Sequence, residues 1–339
     1  MKFLDLFAGI GGFRLGMEQA GHECVGYVEW DKFARKSYEA IHNTEGEWTA
    51  YDITSVTDDD IRKLRGRGRI DVICGGFPCQ AFSVAGKRGG FDDTRGTLFF
   101  EIVRIANIIR PQYLFLENVK GLLNHDKGNT FETILRTLDE LGYDAEWQVL
   151  NSKDFGIPQN RERVFIIGHL RGERTRKILP IRGTYKTPSI QVIGTTKNPK
   201  APGTNFGYWV HDSKGIVGAL SARDYKQPKT ILIKENVKKG YVEACPGDGI
   251  RLDHPNGTTG RGRIQTQSSP TLTTSASVGV LLEDENIRYL TPKEYWRLQG
   301  FTDEQFNIAH KVNSKVQLYK QAGNSVTVNV IYEIAKRLS

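Results

Sequence analysis

"DLFAGIGGFRLG" (residues 5–16) has an apolar run, three closely spaced glycines and then a helix-compatible segment. It reads as a β-strand, a tight turn through Gly9, Gly11 and Gly12, and a helix start. Glycine lets the backbone approach a ligand closely and leaves amide N–H groups open at a helix N-terminus. Taken alone the motif is weak, because a tight strand–helix turn needs glycine with or without a ligand. Glu29 strengthens it. It lies 20 residues after Gly9, at the end of a second strand, where a carboxylate can accept both hydroxyls of a ribose. The glycine spacing is not G-x-G-x-x-G, so a nucleoside cofactor without a pyrophosphate, such as S-adenosylmethionine, fits better than a dinucleotide. Asp52, after the next β-prone segment, is a candidate for the adenine amino group; a surface aspartate would look the same.

Outward from this turn, apolar runs recur up to about residue 170. "KFLDLF" (2–7), "ECVGYV" (23–28), "RIDVICGG" (69–76), "PQYLFLEN" (111–118) and "RVFIIGHL" (163–170) read as buried strands, with helical patterns near 12–20, 31–42, 94–109 and 130–141. Near-continuous apolar strands separated by amphipathic helices predict a doubly wound α/β sheet, the last strand looking antiparallel. Residues 171–287 are rich in Gly, Pro, Ser, Thr and Lys with weak helical periodicity, which predicts a second, smaller, mostly β domain. From Tyr289 helix signals return: Thr291, Pro292 and Glu294 suit a helix start. "NSVTVNVIYEIAKRL" (324–338) puts Val326, Val330, Ile331, Ile334, Ala335 and Leu338 on one face. That face needs a sheet to cover, so 288–339 is expected to return to the first domain. The expected division is 1–170, 171–287 and 288–339.

The 339 residues suffice for one large and one smaller domain, and the 25% charged and 38% hydrophobic content is ordinary for a globular protein. No apolar run approaches the roughly 18 residues of a membrane span. Asp5 interrupts the N-terminal apolar stretch, so it is not read as a signal peptide, and a cytoplasmic location is expected. The net charge of +8 is uneven: −4 over 1–170, +8 over 171–287 and +4 over 288–339. A basic solvated surface would give this; so would a polyanion-binding module attached to a chemical one. Cys24, Cys74, Cys79 and Cys245 form no C-x-x-C pair, so neither a disulfide framework nor a metal site is expected.

Cys79 lies in "GGFPCQAFS" (75–83), just beyond a strand, where Gly75, Gly76 and Pro78 turn the chain. A buried inert cysteine is the usual fate of this residue type, and Cys74 fits it. Cys79 instead precedes a long polar, Gly-rich run (80–97) typical of a functional loop. Glu117 ends another strand, and "QNRER" brings Arg161 and Arg163 to the start of the antiparallel one. Because carboxyl ends of parallel strands share one crevice, Cys79, Glu117, the glycine turn and Glu29 should line one cleft. Each has a structural reading by itself: Glu117 as a strand-end cap, the arginines as a salt-bridge network.

In this order "DLFAGIGG", "EWDK" (29–32), "GGFPCQAFS", "RGTLFF" (95–100), "ENV" (117–119), "QNRER" (159–163), "RYLTPKEYWRLQGF" (288–301) and "QAGNSV" (321–326) resemble the C5-cytosine DNA methyltransferases along almost the whole chain. One departure is Tyr51, where the family often has glycine before the aspartate; it weakens the Asp52 assignment slightly. The resemblance implies a Rossmann-like fold and an S-adenosylmethionine cofactor. It implies Cys79 as nucleophile on cytosine C6, Glu117 on N3 and the exocyclic amine, and Arg163, with Arg161 second, on the O2 side. Asp5, Phe7, Gly9, Gly11, Gly12, Glu29, Trp30, Asp52, Pro78, Asn324, Ser325 and Val326 are the implied cofactor residues. Phe7 and Trp30 would sandwich the adenine, or are core aromatics. Double-stranded DNA is the implied partner, with 171–287 as the target-recognition region and Arg223, Lys226, Arg251, Arg261, Arg263 and Gln265 among its base-contact candidates. A monomer paired with a restriction endonuclease is the expected setting. A tRNA cytosine methyltransferase shares this core and is the alternative.

Overall fold

The computed structural model describes residues 1–78, 98–183, 192–197, 207–211, 231–238, 240–253, 262–282 and 286–338. Cys79, the loop 80–97, Arg223, Lys226 and Arg261 lie outside the described residues. Among the described residues no helix is long and apolar enough to cross a membrane.

The central sheet has seven strands: β1 (Lys2–Leu6), β2 (Glu23–Val28), β3 (Trp48–Ala50), β4 (Val72–Gly76), β5 (Tyr113–Val119), β6 (Tyr143–Asn151) and β7 (Glu162–Leu170), in spatial order β3-β2-β1-β4-β5-β7-β6. Among the described strands of this sheet β7 alone runs opposite to the other six, pairing antiparallel with β5 and β6. The sheet is thus doubly wound and mixed, and its order reverses between β1 and β4, where an open α/β sheet leaves a crevice at the carboxyl ends.

Alternate residues of the same strand feed opposite faces, which is why these strands read as continuous apolar runs. Leu4, Ile73, Leu114, Leu116 and Ile166 pack with α3 (Asp58–Gly66), α4 (Leu98–Ile109) and α5 (Asn129–Glu140). Their neighbours Phe3, Val72, Cys74, Phe115, Phe165 and Ile167 pack on the other face against α1 (Gly12–Gln19) and α9 (Val328–Ala335). All six residues of the apolar face read from 324–338 lie in that second cluster. Capping fixes the helix starts. The Asp31 carboxylate accepts the N–H groups of Phe33 and Ala34 to open α2 (Lys32–Ile41). Thr57–Asp60, Thr291–Glu294 and Thr302–Gln305 form reciprocal capping boxes at α3, α6 (Pro292–Arg297) and α7 (Asp303–Val312).

A smaller, separate β region accompanies the sheet. It comprises pairs β8 (Val192–Lys197) with β9 (Gly207–His211) and β10 (Ile231–Lys234) with β11 (Tyr241–Ala244). A four-stranded sheet adds β12 (Gly249–Arg251), β13 (Ile264–Gln265), β14 (Val278–Leu281) and β15 (Ile287–Tyr289) in order β13-β12-β14-β15. Leu272 and Val278 from this part join Tyr295, Trp296, Phe306 and Leu318 in a third cluster built on α6, α7 and α8 (Lys315–Asn324).

Candidate active site

After β1 the chain turns through Phe7 and Gly9, both at φ +57, and Gly11 at φ +86, and α1 starts at Gly12. The left-handed conformation explains glycine at 9 and 11; at 12 the reason is space. A Cβ on Gly12 would stand 2.8 Å from Ser325 Oγ and from Val326 Cγ2, so the turn is seated directly on the segment entering α9. On the other side a Cβ on Gly9 would meet nothing within 4 Å. The turn therefore has a supported side and an open side.

Glu29 closes one end of that opening. Its Oε2 accepts the Gly9 N–H at 2.6 Å and its Oε1 the Asp31 N–H at 2.6 Å. Burial pushes its carboxyl above the usual range, while the amides of Asp31 and Gly9 pull the other way. Each oxygen keeps a lone pair for a ligand hydroxyl. Trp30 is 75% exposed, so the core reading of this residue does not hold; Phe7 is half-buried against the core. Asp52 spends one carboxylate oxygen on the Thr54 N–H (2.9 Å) and hydroxyl (2.7 Å), capping a short 3₁₀ turn. Asn324 and Pro78 are exposed, while Ser325 and Val326 are buried.

Asp5 lies deeper than the glycine turn. Its side chain is fully buried, beside Tyr38 Oη at 3.5 Å and near Arg14, and its Oδ1 has no hydrogen-bond partner among the described residues. Burial raises its pKa to about 8. Strand alternation sends this side chain into a packed face of the sheet, beside Tyr38 and Arg14. Arg14, which the sequence reading passed over, locks the same layer: it donates to Glu47, Glu18, Tyr38 Oη and the Asn43 carbonyl.

Across the switch point, β4 and β5 pair so that Gly76 lies opposite Glu117. A Cβ on Gly76 would come 2.9 Å from Glu117 Oε2 and 3.8 Å from Val326 Cγ1. Glu117 Oε1 meets Arg163 Nε at 3.0 Å. Burial raises the Glu117 carboxyl above the ordinary range, against the pull of Arg163 and Arg161. Arg161 is buried and donates through Nη2 to the carbonyls of Ser325 (2.7 Å) and Gly323 (3.2 Å). Its Nε and Nη1 have no partner among the described residues. Two unpaired guanidinium donors beside a buried carboxylate are costly unless something polar is to be bound there. Asn118 was visible only as the middle of "ENV"; its Nδ2 donates to the Phe77 carbonyl at 2.9 Å and so holds the chain where it leaves β4 toward Pro78.

The structure thus brings Glu117, Arg161, Arg163, Val326 and the glycine turn to one crevice. Cys74 and Cys24 are buried in the core, and burial pushes both thiols up, leaving them inert. Among the base-contact candidates, Arg263 is buried, Arg251 lies at 3.6 Å from Asp253, and the Gln265 amide oxygen accepts from Asn160. None of these three stands free on a surface.

The whole chain, residues 1–339, matches the family described as C-5 cytosine-specific DNA methylase. It is 38% identical over 336 residues to Type II methyltransferase M.HhaI of Haemophilus parahaemolyticus, covering 99% of this chain and 93% of that one. It is 40% identical over 338 residues to Type II methyltransferase M1.ScrFI of Lactococcus lactis subsp. cremoris, covering 99% and 77%. A solved prophage-encoded DNA modification methyltransferase from E. coli shares the fold at a TM-score of 0.62 and 20% identity, over 100% of this chain and 98% of that one. On this footing the chain belongs to the C-5 cytosine-specific DNA methylases, enzymes whose methyl donor is S-adenosylmethionine.

Proposed function

We propose that the protein methylates C5 of a cytosine flipped out of a specific duplex DNA sequence, through a covalent bond between Cys79 Sγ and C6. Cytosine C5 is a poor nucleophile; thiolate addition at C6 makes the ring an enamine with electron density at C5. Inside a duplex C6 is out of reach, so the base must leave the stack. Glu117 engages N3 and the exocyclic amine, stabilising charge that develops as sulfur adds; its burial, which raises the carboxyl above the ordinary range, favours donation of a proton toward N3. Arg163 holds the O2 side and orients Glu117, with Arg161, whose Nε and Nη1 have no partner among the described residues, second to it. The opening lined by Gly9, Glu29 and Trp30 holds S-adenosylmethionine, which supplies an electrophilic methyl group when bound. Loss of the C5 proton and elimination then free Cys79.

The observation that supports this reading is the Glu117–Arg163 pair set over Gly76, next to the turn that precedes Cys79 and on the same crevice as the glycine turn. Residues 171–287 form the proposed recognition domain, their +8 charge suiting phosphate contacts, and 288–339 complete the catalytic domain. Protection of DNA from a partner restriction endonuclease is the proposed setting. Methyl incorporation into duplex DNA compared with tRNA tests the substrate, and bisulfite sequencing of DNA from expressing cells gives the site. Labelling of tRNA in preference to DNA would overturn the reading.

A further inference from the structure

Asn160 is half-buried, and every polar group it has is used. Its N–H donates to the Ser269 carbonyl at 2.9 Å, and its carbonyl accepts the Thr271 hydroxyl at 2.6 Å. Its Nδ2 donates to Gln265 Oε1 at 3.1 Å, and its Oδ1 accepts from Asn151 Nδ2 at 2.6 Å. Three of the four partners lie on one stretch, 265–271, of the smaller β region. The fourth leads back to the active site: Asn151 Oδ1 accepts the Arg161 N–H at 3.0 Å. A chain of amides thus runs from Gln265 through Asn160 and Asn151 to the Arg161 backbone, two residues before Arg163. Next to it, Gln159 forms a bridge with Ser269 and donates through Nε2 to the Leu298 carbonyl at 2.6 Å.

Packing alone would not need this density of polar contacts at a half-buried position, because a half-exposed asparagine can hydrogen-bond to water at little cost. The two arginines that follow must hold a geometry in which a shift of about 1 Å costs roughly a hundredfold in rate. We infer that Asn160 is a positioning residue: it locks the Arg161–Arg163 segment in register with stretch 265–271, so that the proposed recognition domain and the Glu117–Arg163 pair move as one body. The inference rests on the proposed methyl transfer to DNA. It also gives Gln265 a role different from base contact.

The test uses the full chain with S-adenosylmethionine and duplex DNA carrying the site that the wild type methylates. Asn160→Leu removes both side-chain hydrogen bonds at similar volume. Asn160→Asp keeps the acceptor for Asn151, and Gln265 can turn its amide to donate to the new carboxylate. The expected result is a fall in kcat of roughly tenfold or more for Asn160→Leu, with the Kd for S-adenosylmethionine within about twofold of wild type. Asn160→Asp should recover most of that loss. Gln265→Ala should fall similarly, and combining it with Asn160→Leu should add little, because both break the same chain. Unchanged kcat in Asn160→Leu, additive losses, or no recovery in Asn160→Asp overturns the inference. If Asn160→Leu does not fold, Gln265→Ala and Asn160→Asp decide it. A wild type that methylates no DNA defeats the proposed function instead, which a fully active Asn160→Leu would leave intact.

Discussion

Gly76→Ala places one methyl group where the structure holds the Glu117 carboxylate. The added Cβ would stand 2.9 Å from Oε2, so the carboxylate must retreat by about 0.5 Å to reach ordinary contact. Oε2 is the free end of a side chain, so the retreat costs the fold little, about 1 kcal/mol, or a Tm lower by about 3 °C. The effect on chemistry is larger. Glu117 is tied at 3.0 Å to Arg163, and both must meet the same substrate edge, so moving one strains the pair. A half-ångström displacement predicts a kcat lower by roughly 10- to 100-fold, about 1.4 to 2.7 kcal/mol of barrier. The S-adenosylmethionine pocket is built on other residues, so its Kd should stay within about twofold. Single-turnover methyl transfer to duplex DNA, with calorimetry for the cofactor, separates the two quantities. A Gly76→Ala protein with wild-type kcat would refute the placement of Glu117 at the reacting base.

Gly12→Ala meets Ser325 Oγ and Val326 Cγ2 at 2.8 Å and the Val326 carbonyl at 2.9 Å, a backbone that cannot yield. It should cost about 1–3 kcal/mol in urea unfolding and weaken S-adenosylmethionine binding roughly tenfold. Trp30→Ala removes a ring that is 75% exposed, so its Tm should not move, while the KM for S-adenosylmethionine rises roughly tenfold through lost stacking. Asp5 has its pKa raised from 3.8 to about 8, so the stability tied to its protonated form is complete below 3.8 and is lost as pH climbs through 8. Asp5→Asn should therefore flatten the fall in unfolding free energy between about pH 4 and pH 8; a variant with the wild-type slope would show that another group titrates.

Much of the fold is legible because β1, β2, β4, β5 and β7 are buried on both faces and leave unbroken apolar runs. β6 was missed for the converse reason: at the sheet edge its residues 144–149 are half or fully exposed, and "YDAEWQVLN" has no run to read. Helix α3 escaped because only Ile61 and Leu64 are buried in an otherwise charged segment, although Thr57 and Asp60 carried a capping-box signature. In the site, strand-end placement of Glu117, Glu29 and the glycines follows from topology. Side-chain direction does not: Asp5 turns inward, Asp52 is spent on a cap, and Gln265 faces the arginine segment. The Asp52 cap is local, made to Thr54 two residues on, but the surroundings of Asp5 and Gln265 depend on contacts between residues far apart in sequence, such as Gln265 with Asn160, which no local pattern encodes.

The most direct measurement is covalent capture on duplex DNA bearing 5-fluorocytosine at the methylated position. Fluorine at C5 leaves no proton to remove, so the elimination that frees Cys79 stalls after methyl transfer. A denaturation-resistant protein–DNA complex is expected that requires S-adenosylmethionine, maps to Cys79 by peptide sequencing, and is lost in Cys79→Ala. An active wild type that forms no such complex, or a Cys79→Ala protein that still forms it, would contradict nucleophilic attack by Cys79.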